Sequence, residues 1–110
     1  MMKKKNNIFN IIMYKLISIT KSDRKGKKWM AKFLNKKNKR TKTTHFGATG
    51  YEDYTQHKDK ERRRLYRERH EKDLDTKDPT KAGYLSYYVL WGDSTNMDEN
   101  IRNFKKKFNL

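Results

Sequence analysis

Hydrophobic and polar positions change their spacing along the chain, and the changes mark its elements. "YKLISIT" at 14–20 is apolar and β-branched, as a strand requires. "WMAKFLN" at 29–35 sets Trp29, Ala31 and Phe33 on one side of an extended chain, against Met30, Lys32 and Leu34 on the other. "TKTTHFG" at 41–47 is Thr-rich and closes on Gly47. Two polar turns separate the three segments: "KSDRKGKK", with Gly26 as its turn residue, and "KKNKR". Short connections between three strands predict an antiparallel meander.

The period then lengthens. After a loop at "ATGYEDYTQ", residues 57–73 contain neither Gly nor Pro and pair opposite charges at i,i+4, as in Arg64–Glu68 and Arg67–Glu71. Only Leu65 and Tyr66 are clearly apolar there, flanked by Arg62 and Arg69, so this helix offers the core a narrow seam. A second helix is expected through "TKAGYLSYYVLWG", with Asp78 as its cap, Pro79 at its first position and Gly92 as its stop. Its face of Ala82, Leu85, Tyr88 and Val89 is the most apolar in the chain and should be the most buried. A third helix is expected in "DSTNMDENIRNFKKKF". Thr95 and Asp98 stand at capping-box spacing, Met97, Ile101, Phe104 and Phe108 share a face, and three lysines fill the last turn. The expected architecture is α+β: a three-stranded antiparallel sheet with about three helices on one side, forming one small domain over 14–110. Residues 1–13 read as a flexible basic leader. Their apolar run is broken by Asn10, lacks a small-residue cleavage site and is too short to span a membrane.

Charge sharpens this picture. The 110 residues carry a formal net charge of +16. Residues 1–47 hold 15 Lys or Arg against a single acid, Asp23, while residues 48–110 are nearly balanced. A field so concentrated implies a polyanionic partner, nucleic acid before any anionic membrane. Seven Tyr, five Phe and two Trp can build a small core from few positions, which argues against a disordered basic tail. With no cysteine, disulfides and thiolate zinc sites are excluded.

The basic turns supply the candidate phosphate contacts: Arg24, Lys25, Lys27 and Lys28 in one, Lys36, Lys37, Lys39 and Arg40 in the other, with Arg62, Arg63 and Arg64 on the first helix. Lysines that merely protect strand edges usually alternate with acids, and here they do not. No recognition helix or zinc finger supports base-specific readout. Tyr51, Tyr54 and Trp91 could stack on bases, although packing is the commoner role of such residues. His45, His57 and His70 with Asp53 and Asp59 could in principle hold a metal, but no histidine pair has i,i+4 spacing. Glu52 and Asp53 are adjacent, and Asp59 and Glu61 sit where a helix start favours acids. P-loop, GxSxG and cysteine nucleophile are all missing. The expectation is therefore no enzyme, no metal and no cofactor.

Several short motifs carry a resemblance: His45-Phe46-Gly47, Asp53-Tyr54-Thr55 with His57-Lys58-Asp59, Tyr66 with Arg69-His70, Ala82-Gly83 with Leu85-Ser86, and Leu90-Trp91-Gly92. Together they resemble a family of small basic proteins encoded by giant nucleocytoplasmic DNA viruses, the mimivirus and phycodnavirus relatives. The resemblance implies a viral protein of the virion core, or of the viral factory or nucleus of the infected cell. Its role would be in packaging or compacting DNA, with RNA as a second polyanion. A minor capsid or core protein that meets an acidic protein partner or self-associates is the alternative. The signature residues His45, Gly47, Asp53, His57, Asp59, His70 and Trp91 then read as a hydrogen-bonded joint between sheet and helix, which presents the arginines.

Overall fold

The computed structural model describes residues 13–110, so the expected leader lies outside the described residues except for Met13. Strands β1 (Tyr14–Lys21), β2 (Lys27–Asn35) and β3 (Thr41–Ala48) form an antiparallel sheet in the order β1-β2-β3. Registers of Leu16 with Phe33, Ala31 with Thr44 and Trp29 with Phe46 place the large apolar side chains on one face. Leu16, Ala31, Phe33 and Phe46 are buried there, while Lys15, Lys32 and Thr43 on the other face meet solvent. One covered face and one wet face are what alternating strands in an antiparallel sheet produce. A bulge between Leu16 and Ser18 shifts the register of β1 and leaves Ile17 exposed.

Four helices follow: α1 (Tyr54–His57), α2 (Lys60–His70), α3 (Ala82–Leu85) and α4 (Met97–Phe108). The stretch expected as a loop before the first helix thus contains α1. Asp53 caps it in a full capping box, its side chain bonding the backbone of the first turn while the Gln56 side chain accepts from the Asp53 N–H at 3.1 Å. Lys58 ends α1 in the left-handed region (φ 59°), and Asp59 restarts the chain by accepting from the N–H groups of Glu61 and Arg62. Helix α2 then tightens into a 3-10 turn at Glu71–Thr76.

The second predicted helix differs most from expectation. It starts at Ala82, not Pro79, because the Asp78 carboxylate accepts from both the N–H and the hydroxyl of Thr80, at 2.9 and 2.6 Å. That closes a turn ahead of the helix instead of capping it. Beyond Leu85 the coil widens to a π-helix over Ser86–Leu90, with the Trp91 N–H bonded to the Ser86 carbonyl five residues back. The wider turn buries Tyr87, Val89, Leu90 and Trp91 together, and Tyr88 is left half-buried. Helix α4 is capped by Asn96, which accepts from the Glu99 N–H at 3.0 Å, and not by the Thr95–Asp98 pair. Asn96 is one residue nearer the helix, so its side chain reaches the N–H of the third helical residue, in the first turn.

Inside, Asn100 of α4 is only 1 % exposed. Its Nδ2 donates to the carbonyls of Val89 and Ser94 at 2.9 and 2.8 Å, and its Oδ1 accepts from the Ser94 N–H at 3.0 Å. Gly92 lies against this bridge. A Cβ there would sit 2.2 Å from the Tyr88 carbonyl oxygen, so no other residue fits without moving backbone.

Asn100→Ala leaves one buried and two part-buried polar groups unpaired and should destabilise by about 2–4 kcal/mol. The fully buried Leu85 should lose a similar amount on truncation to Ala, about 2–4 kcal/mol, through cavity formation. Urea unfolding that found Asn100→Ala neutral would show that the bridge contributes little.

Candidate functional site

Sequence-predicted cations do not form one cluster. Nine residues of β2 separate the two basic turns, which puts them at opposite ends of the sheet, about 26 Å apart. Lys36, Lys37, Lys39 and Arg40 lie exposed at the end near Met13, whose carbonyl accepts from the Lys36 N–H at 2.6 Å. Arg24, Lys25 and Lys27 lie exposed at the other end. There the Gly26 carbonyl accepts from the Thr49 N–H at 3.0 Å and ties the turn to the segment after β3.

At that second end is a cleft of about 590 Å³. Lys27, Lys28 and the end of β3 form one wall, Tyr51–Asp53 the rim, and α2 with the 82–91 segment the other wall and floor. Arg62, Leu65, Tyr66 and Arg69 line it at i, i+3, i+4 and i+7 of α2, a single helix face. Gly47 is part of the wall. Its φ is +79°, and a Cβ there would come within 2.9 Å of Leu90 Cδ1, so the close approach of strand to helix depends on its bare backbone.

Side chains of the five α2 arginines fall into three groups. Arg63 donates to the Gly92 carbonyl and to Asp93, both at 2.7 Å, and lies over the Tyr54 ring. Arg67 donates to the carbonyls of Trp91 and Tyr87, at 2.7 and 3.3 Å, with its guanidinium 4.0 Å from the Tyr87 ring centre. Arg64 pairs with Glu61 and Glu68 on the helix surface, which holds the Glu61 carboxyl below its usual range and the guanidinium above its own. The side chains of Arg62 and Arg69 make no hydrogen bond or ion pair among the described residues. The predicted trio Arg62, Arg63 and Arg64 is thus split: Arg62 faces the cleft, Arg63 holds the fold together and Arg64 is neutralised. Lys28 is likewise engaged, donating to Asp53 at 3.0 Å and Gln56 at 2.8 Å.

The signature residues occupy distinct places. Asp53 and Lys28 join β2 to α1. The His57 Nδ1 accepts from the Asp59 N–H at 2.9 Å, and its ring packs 5.2 Å from Trp91. His70 stacks on Tyr66 at 4.2 Å and pairs with Asp73 at 3.0 Å. Tyr66 in turn lies parallel to Trp91, 4.1 Å away with 4° between the planes. A ladder of Trp91, Tyr66 and His70 therefore runs along the cleft wall. His45 stands apart on the open face of the sheet, bonded to the Ser22 hydroxyl at 2.7 Å. Three histidines thus occupy three environments, and among the described residues no group of three or more His, Asp or Glu side chains gathers around a common point. Sequence reasoning placed Arg69 beside the seam but not among the binding residues; its i+7 relation to Arg62 was the available signal.

Residues 17–70 match the model of a family of unknown function, DUF5754, which covers just under half of the chain, from the β1 bulge to the last residue of α2. No curated protein and no solved structure matches the chain.

Arg63→Ala should lower stability by about 1–3 kcal/mol, since the Gly92 carbonyl loses its charged donor. Arg62→Ala should leave the melting temperature unchanged. Equal melting curves for the two variants would contradict this division of the arginines.

Burial raises the phenols of Tyr66, Tyr84 and Tyr88 above their ordinary value, in Tyr66 against a Ser86 hydrogen bond that lowers it. A folded-state value above the unfolded one means that the folded protein holds its phenol protons longer. Stability is then intact below about pH 10 and falls as pH rises through the raised values. Alkaline titration should show phenolate absorbance from these tyrosines appearing together with unfolding. Their ionisation at the ordinary value in a still-folded protein would overturn the assignment.

Proposed function

We propose that the protein binds nucleic acid without regard to sequence, through phosphates, and that its role is to shield or compact a viral genome, DNA in the first place. The carrying observation is the set of cations at the cleft end. Arg24, Lys25, Lys27, Arg62 and Arg69 come from two separate elements to one end of the molecule, and none of them has an ion-pair partner among the described residues. Unneutralised charge is what a phosphate backbone exchanges for its counterions. The fold itself uses Lys28, Arg63 and Arg67 and leaves these free. A second exposed basic turn at the far end, with Lys36, Lys39 and Arg40, extends the positive surface. The viral assignment is supported by the motif resemblance described above. No catalytic step is part of the proposal, and neither is a membrane.

With about six phosphates contacted, log K against log salt on duplex DNA should have a slope near −5. Replacing Arg24, Lys25 and Lys27 with Ala should weaken binding equally across sequences and make the slope shallower by about 2–3. A gel shift at about 50 mM salt checks this. A wild-type protein that shifts neither DNA nor RNA would favour a capsid or core role with an acidic protein partner.

A further inference from the structure

The geometry points to the cleft as a site for one unpaired nucleotide, its base on the apolar floor and its phosphate on the cationic rim. This rests on the nucleic-acid reading above and extends it from phosphates to bases. Phosphate contacts need only an exposed surface. This end of the molecule has in addition a concavity of about 590 Å³, within the roughly 300–1,000 Å³ of sites that enclose small molecules.

Its chemistry is that of a flat ring joined to an anion. Leu65 and Leu90 give an apolar lining, and Leu65 is 39 % exposed although it is one of only two large apolar residues on α2. Tyr51 stands at the rim with 75 % of its surface open, the most exposed aromatic among the large hydrophobics. The His70 end of the aromatic ladder lines the same cleft. Tyr66 has both faces occupied, by Trp91 and His70, whereas His70 makes only the one ring contact among the described residues. A base stacked on His70 in the cleft, with Tyr51 available at the rim, would therefore extend a stack that is already built, and stacking accepts any base.

Charge fixes the other half of the ligand. Of the three lining carboxylates, Asp53 is paired with Lys28, and Asp73 hydrogen-bonds the His70 ring. Glu52 and Asp73 stand against Lys27, Arg62 and Arg69, three cations to two anions, so the rim keeps a net positive charge. Arg62 and Arg69 are two helical turns apart on one face, about 10.5 Å along the axis. A base locked in a duplex is stacked on both sides and cannot enter. The cleft therefore selects single strands, frayed ends or free nucleotides.

Fluorescence or calorimetric titration separates these sources. The probes are a short oligothymidylate, a duplex of equal length and free thymidine monophosphate, all at one salt concentration. The single strand should bind about tenfold more tightly than the duplex, and Tyr51→Ala should remove about tenfold of that affinity while leaving duplex binding and the melting temperature unchanged. Arg69→Ala should weaken both the strand and the mononucleotide. Equal affinity for strand and duplex, with Tyr51→Ala without effect, would overturn the cleft assignment and leave the phosphate reading standing. Binding of thymidine monophosphate that depends on Tyr51, with no binding of any strand, would keep the cleft as a free-nucleotide site and overturn the polyanion reading. No binding of any of the three would overturn both.

Discussion

The end of the π-helix imposes the constraint around which the rest of the structure is arranged. Segment 86–92 passes through the interior, and its last carbonyls have no backbone N–H of a continuing helix to accept from. Side chains supply the donors. Asn100 of α4 reaches Val89, Arg67 of α2 reaches Tyr87 and Trp91, and Arg63 of α2 reaches Gly92. Two cations at a helix C-terminus also suit the direction of its dipole. This explains how α2, which has no fully buried residue, is held against the core. Polar donors carried on long aliphatic stems do there what an apolar stripe does in most helices.

That arrangement also decides which charges remain for a partner. Once Arg63 and Arg67 turn inward, Arg62 and Arg69 are left on the adjoining face of the same helix, and that face borders the cleft. Tyr66 sits on the boundary. Its ring holds Trp91 on one side and His70 on the other, so the wall of the cleft and the cover of the core share one side chain. The signature histidines are accordingly not a cluster: His57 braces Trp91 from behind, His70 ends the ladder and His45 belongs to the opposite face of the sheet.

The strands were legible because alternation in Trp29, Ala31 and Phe33 admits one reading, and the polar turns bound it on both sides. Helix α1 was read as a loop, because four residues without an apolar period look like one, although Asp53 and Gln56 stand at capping-box spacing. The π-helix was not. Its residues are those of any buried helix, and only the demand to bury Tyr87, Val89, Leu90 and Trp91 together widens the coil. Nor could the sequence divide the α2 arginines. A helix with two apolar residues has a poorly determined inward face, and the acceptors that sort Arg63 from Arg62 lie about 30 residues further on. The cleft escaped notice for the same reason, since its walls come from β2, β3, α2 and the 82–91 segment.

The sheet is complete within residues 14–48, and the helices that cover it lie in 82–108. During synthesis the two hairpins can close in microseconds, while the ribosome needs about 3–12 s to add the 60 residues that finish the cover. For that interval Leu16, Phe33 and Phe46 present an open apolar face on a nascent chain. The same stretch carries nearly all of the excess positive charge, 15 basic residues to one acid by position 47. Two such chains repel each other before their apolar faces can meet. Charge carried on the strands that are made before their cover thus opposes contact between two such open faces.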